Sequence, residues 1–175
     1  TKVDRRQARK VSRIRIDLEF QSWSGLRRRP GALATIGIRE AHVYCEIHPC
    51  TVDLDFIKNF GAKGIVLSGS PFSVHQEYAP LVSPGVFELG LPVLGICYGM
   101  QLITHLLGGR VARADEREYG RAHIHIDVCE GVLAPFAGNF NQEVWMSHGD
   151  RIEAMPPGFE RMAWSDNSPF AAIYH

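Results

Sequence analysis

The chain has 175 residues, 45% hydrophobic and 22% charged, with a formal net charge of zero. That is enough apolar material for one ordinary globular core, and the apolar runs are too short for a membrane-spanning helix or a secretory signal. Four cysteines (Cys45, Cys50, Cys97 and Cys129) form no C-x-x-C pair and complete no zinc-site spacing, so free thiols in a reducing compartment and no metal site are expected. The charge is unevenly spread. Residues 1–29 hold ten Lys/Arg against Asp4, Asp17 and Glu19, and the remainder is acidic. Without interleaved aromatics this basic stretch reads as a solvated segment rather than a nucleic-acid arm.

In chain order, Arg13–Phe20 alternates polar and apolar residues, the period of a half-buried strand. Residues 24–34 read as a loop. Ala41–His48 reads as a strand ending before Pro49. Asp53–Phe60 reads as a short helix, with Leu54, Ile57 and Phe60 three apart and Gly61 as its stop. Gly64–Leu67 is a short apolar strand running into Ser68-Gly69-Ser70-Pro71. Val82–Glu88 reads as a helix closed by Gly90, Leu91–Ile96 as a further apolar strand, and Tyr98–Leu107 as a helix stopped by Gly108-Gly109. This order of strands and helices predicts parallel βαβ units, an α/β fold whose mostly parallel sheet carries helices on both faces. Beyond about residue 123 the texture changes to short strands at His123–Val128, Val144–Met146, Arg161–Trp164 and Phe170–Tyr174. These are expected to extend or flank the parallel sheet. Glu116–Gly120 reads as a charged, solvated loop.

The stretch that carries chemistry is Gly95-Ile96-Cys97-Tyr98-Gly99, set between a strand and a helix. Gly-x-Cys-x-Gly in that setting is the nucleophile-elbow arrangement with a thiol as nucleophile. A sharp turn exposes the side chain, the glycines remove Cβ atoms that would clash, and the helix N-terminus favours the thiolate. The Tyr98 N–H is placed to meet a developing oxyanion, and Gly69 or Ser70, in the loop after the preceding strand, to supply a second donor. The competing reading of Cys97 is a buried structural thiol beside a helix start. His148, in Trp145-Met146-Ser147-His148-Gly149-Asp150, is open to two readings from its sequence alone: a general base, or a polar residue at a strand end.

Taken together, VYCEIHP (43–49), KGIVLSGSP (63–71), GICYGMQ (95–101), EREYG (116–120), VWMSHGD (144–150) and SPFAAI (168–173) resemble, in that order, the glutamine-hydrolysing domain of GMP synthases, a class I glutamine amidotransferase. The resemblance covers roughly residues 38–174 and implies the flavodoxin-like fold of that class. The implied domain is 30–175, preceded by a poorly matching basic segment, 1–29. It implies that Cys97 attacks the side-chain amide of glutamine, that the backbone around Gly69 and Tyr98 forms the oxyanion hole, and that Gln101, Ser147 and His148 hold the glutamine α-amino and α-carboxylate groups. No cofactor is implied for this domain. ATP and magnesium belong to the partner, an ATP-pyrophosphatase domain or subunit that converts XMP to GMP, and a homodimer would form through that absent part. The implied location is the cytoplasm, with no nucleic-acid or membrane partner. An alternative is a catalytically inactive relative that keeps the fold as a binding module.

The match departs from the family in three places. The family's catalytic His and Glu are expected beyond the Ser168–Ile173 strand, past His175, so the C-terminal end of the fold is expected to be incomplete. Arg15, Asp17 and Glu19 would be costly to bury on a central parallel strand, so Arg13–Phe20 is expected to be an edge strand, displaced or disordered. Ser70 replaces a usual glycine and Phe72 a usual polar residue, which puts the backbone geometry of that loop in question.

Overall fold

The computed structural model describes the backbone of residues 13–19 and of 36–175, with side chains from 36 onward except at 114–119 and 147–148. The loop read at 24–34 and most of the basic N-terminal segment lie outside the described residues. The chain divides into two compact units, one of residues 1–70 with 80–99 and the other of 71–79 with 100–175.

The first unit is built on a four-stranded parallel sheet. Its strands are β1 (Arg13–Glu19), β2 (Tyr44–Pro49), β3 (Ile65–Leu67) and β4 (Val93–Gly95), in the order β2-β1-β3-β4. All three pairings are parallel, as the βαβ reading predicts. Helix α1 (Leu54–Phe60) begins at Asp53, whose carboxylate accepts the Asp55 N–H at 2.7 Å and the Phe56 N–H at 3.4 Å. Those are two of the donors a helix start leaves without an intrahelical partner. The helix ends at Gly61, in the left-handed conformation (φ 69°) that favours glycine. Val82–Glu88 forms no α-helix; Pro84–Glu88 is a single 3₁₀ segment with Pro at its start. Strand β3 is short and apolar, and its Ile65, Val66 and Leu67 are all buried. Cys45, Val66 and Ile38 form a core cluster, with Val43 and Leu94 packed against it.

Of the expected alternatives for Arg13–Phe20, an edge strand, displaced or disordered, the edge position is overturned. Strand β1 is interior, paired with β2 on one side and β3 on the other. Part of the reason lies in the length of β3. On β1 it pairs with Ile16, Asp17 and Leu18, so Arg15 and Glu19 fall outside the doubly paired stretch, whereas Asp17 lies within it, paired to Ile47 and Val66.

The second unit carries helix α2 from Met100 onward and an antiparallel sheet. Helix α2 as a whole runs Tyr98–Leu106, one residue short of the predicted end. The sheet contains β5 (Arg110–Ile126), β6 (Asn141–Ala154), β7 (Glu160–Ser165) and β8 (Ser168–Tyr174), in the order β6-β5-β7-β8. Of the two expected arrangements, extending or flanking the parallel sheet, extension is not found: these strands form a sheet of their own. The parallel character therefore belongs to the first unit alone. Glu116–Gly120 is not a loop but part of β5, opposite β6, with Glu118 paired to His148 and Tyr119 to Ser147. An antiparallel ribbon tolerates charge because one of its faces can remain in water. Between Arg113 and Glu118 the register shifts, and β5 carries extra residues there, the signature of a bulge. The core of this unit includes Leu102, Val111, Ile126, Ile152, Met162 and Ala163. Gly109 is required by packing, since a Cβ there would stand 2.7 Å from the Ala154 carbonyl oxygen.

Candidate active site

The C-terminal ends of β3 and β4 lie side by side, with Leu67 paired to Gly95. Ser68-Gly69-Ser70 leaves one strand and Ile96-Cys97 the other, both at the edge of a parallel sheet where ligands bind. Three main-chain relationships shape the turn. The Ile96 N–H donates to the Leu67 carbonyl at 2.9 Å, and the Gly99 N–H donates to the Ile96 carbonyl at 3.0 Å. Gly99 then passes so close to Leu67 that a Cβ would stand 2.6 Å from its carbonyl carbon. The second glycine of Gly-x-Cys-x-Gly is therefore needed for close approach, as the elbow reading predicts.

Cys97 itself has φ 51°. A left-handed conformation in a non-glycine residue costs roughly 1–2 kcal/mol and persists only where its surroundings hold it. Among the described residues His42 is the other non-glycine residue with positive φ. Ser70 does not share this conformation, so its replacement of glycine carries no such strain. The Cys97 side chain is partly buried. Burial pushes its thiol above the ordinary value, against the thiolate-favouring helix N-terminus expected from the sequence. The partly buried sulfur has lost water that would solvate the anion, so a base must take the proton.

Tyr98 is 1% exposed, and its phenol donates to the Pro80 carbonyl at 2.9 Å. Burial pushes the phenol far up, and the nearby Cys50 adds to the effect, so Tyr98 is a neutral donor. Neither this bond nor the role of the Leu67 carbonyl is legible from sequence, because their partners lie 18 and 29–32 positions away.

Of the other predicted site residues, Gln101 lies on α2, one turn beyond Cys97. It is buried, and its Nε2 donates to the Asp150 carbonyl at 2.9 Å. Its amide thus ties the helix to β6. Ser147 and His148 lie on β6, in register with Tyr119 and Glu118, and their side chains are outside the described residues. Asp150 is buried, and its Oδ2 has no hydrogen-bond partner among the described residues. Among the described residues no three His, Cys, Asp or Glu side chains gather as a metal would require. No described helix is long and apolar enough to cross a membrane.

Comparison with known proteins decides the family. Residues 34–175 match the family model for glutamine amidotransferase class-I. The chain belongs to the class I glutamine amidotransferase family. Within it, the chain is 50% identical over 136 residues to a glutamine-hydrolyzing GMP synthase of Heliobacterium modesticaldum, which covers 78% of this chain and 26% of the relative. It is 49% identical over 168 residues to that of Wolinella succinogenes, covering 95% of this chain and 31% of the relative. The chain thus spans about a quarter to a third of the length of the curated relatives it matches. The crystal structure of a candidate GMP synthase subunit from Thermoplasma acidophilum superposes with a TM-score of 0.76 at 26% identity, over 94% of this chain and 79% of that one. A glutamine amidotransferase from Thermotoga maritima gives 0.72 at 18% identity, over 94% and 72%. The α/β amidotransferase fold expected from the motifs is the fold found.

Proposed function

We propose that this chain is the glutaminase portion of a GMP synthase and that Cys97 is its nucleophile. The observation that carries the reading is Cys97 at positive φ on a strand-to-helix elbow beside Ser68-Gly69. The relatives at about 50% identity support the choice of GMP synthase within the family. In this reading the Cys97 Sγ, deprotonated by a base, attacks the side-chain amide carbon of glutamine. The carbonyl oxygen takes the negative charge and is met by the Gly69 and Tyr98 N–H groups. The C–N bond then breaks, the nitrogen leaves as ammonia after gaining a proton, and a glutamyl thioester remains. Water hydrolyses the thioester to glutamate and restores the thiol. Gln101, Ser147 and His148 hold the α-amino and α-carboxylate groups of glutamine.

The domain itself needs no cofactor for these steps. The ammonia passes to an ATP-pyrophosphatase domain or subunit, where ATP and magnesium activate XMP for amination to GMP, in the cytoplasm. The test is glutamate release from glutamine by the chain beside a Cys97→Ala variant. Release lost in the variant supports the reading. Release that survives the substitution refutes Cys97 as the nucleophile.

A further inference from the structure

Cys97 is strained, and strain of this kind relaxes unless its neighbours oppose it. The Ile96 N–H bond to the Leu67 carbonyl fixes the turn against β3 and the Gly99 N–H bond to the Ile96 carbonyl closes it, but neither ties the turn to the segment around Pro80. Tyr98 does. It is among the largest fully buried side chains of the described residues, and its ring carries the hydroxyl to the Pro80 carbonyl, 18 residues back in sequence. The far end of that bond is itself anchored. Val82 and Val86 are buried, and the Val86 N–H donates to the Ser83 carbonyl at 3.0 Å. Gly85 lies against Leu54 of α1, where a Cβ would meet Leu54 Cδ1 at 2.6 Å. The segment that receives the phenol is therefore tied into the packing of the first unit.

We propose that the Tyr98 phenol, by donating to the Pro80 carbonyl, braces the strained Cys97 elbow and makes Tyr98 a positioning residue for the nucleophile. The role is separate from that of the Tyr98 main-chain N–H, and it rests on the reading of Cys97 as nucleophile. A phenylalanine at this position fills the same volume and cannot make the bond, so Tyr98→Phe isolates the hydroxyl.

Two measurements test the brace. The first is amide hydrogen exchange, which does not depend on any activity. Tyr98→Phe is expected to speed exchange at Ile96 and Gly99 about tenfold while leaving Val66 of β3 unchanged, which a uniform loss of stability cannot do. Equal acceleration at all three amides, or none, overturns the proposal. In the wild-type chain the Ile96 and Gly99 amides must exchange no faster than Val66; faster exchange there contradicts a braced elbow even where the variant does not fold. The second measurement is alkylation of Cys97 by a glutamine analogue bearing a diazoketone in place of the amide. The saturating rate is expected to fall about tenfold in Tyr98→Phe, with the half-saturating concentration changed less than twofold. A saturating rate within twofold of wild type overturns the positioning role. Absence of any alkylation in the wild type would instead count against the glutaminase reading, and amide exchange would still decide the brace.

Discussion

Gly99 crosses the Leu67 carbonyl so closely that a Cβ on Gly99 would stand 2.6 Å from the carbonyl carbon and 2.8 Å from the Leu67 Cβ. Both obstacles belong to β3, whose Leu67 carbonyl also accepts the Ile96 N–H. The elbow therefore has no easy way to give. Gly99→Ala is expected to cost roughly 2–3 kcal/mol through overpacking against backbone. Gly90→Ala is the control. A Cβ at Gly90 meets nothing within 4 Å, but its φ of 67° is unfavourable, so the cost there is roughly 1–2 kcal/mol from conformation alone. Urea unfolding of the two variants checks the order; a Gly90→Ala loss equal to or larger than that of Gly99→Ala contradicts the packing account.

Glu46 supplies a pH dependence. The Tyr44 phenol donates to its Oε1 at 2.6 Å, and His48 Nε2 lies 3.0 Å from its Oε2. The Tyr44 bond first and the His48 bond second hold the Glu46 carboxyl below its ordinary value of 4.5. A carboxylate favoured in the folded state contributes stability above the unfolded value, and the contribution is lost as pH falls through the folded value. Wild type is expected to exceed Glu46→Gln in urea midpoint at pH 7, with the gap closing on acidification below about pH 4.5. A gap that is constant or widens in acid contradicts this. The group is partly exposed, so the effect is small.

The Cys97 thiol shifts the other way. Burial raises it above 9.0, so the folded state favours the neutral thiol. That contribution is fully present below the unfolded value and is lost as pH rises through the folded one. Alkylation of Cys97 by iodoacetamide is expected to climb with pH to a midpoint above 9.0. A midpoint well below 9.0 would mean that the helix N-terminus outweighs burial.

Several of these features were legible in the residues themselves, and others were not. The elbow is written locally: two glycines, a cysteine between them, an apolar strand before and an apolar helix after. Helix α1 is equally local, with Asp53 at its start and Gly61 at its stop. Glu116–Gly120 misleads because charge density mimics a solvated loop, whereas one face of an antiparallel strand can stay wet. Strand β1 misleads because β3 pairs with just three of its residues, which leaves Arg15 and Glu19 outside the doubly paired stretch; the pairing gives no such account of Asp17, which has a partner on both sides. The Tyr98–Pro80 bond and the Gln101–Asp150 bond link positions 18 and 49 apart, and no sequence spacing announces such contacts.

The most direct test of the central claim is covalent. The chain is treated with the diazoketone analogue of glutamine at neutral pH, and its four cysteines are examined by mass spectrometry. Modification of Cys97, slowed by added glutamine and absent from Cys45, Cys50 and Cys129, is the predicted result. Modification spread over the cysteines without protection by glutamine, or confined to a cysteine other than Cys97, would contradict the assignment of Cys97 as the glutamine-directed nucleophile.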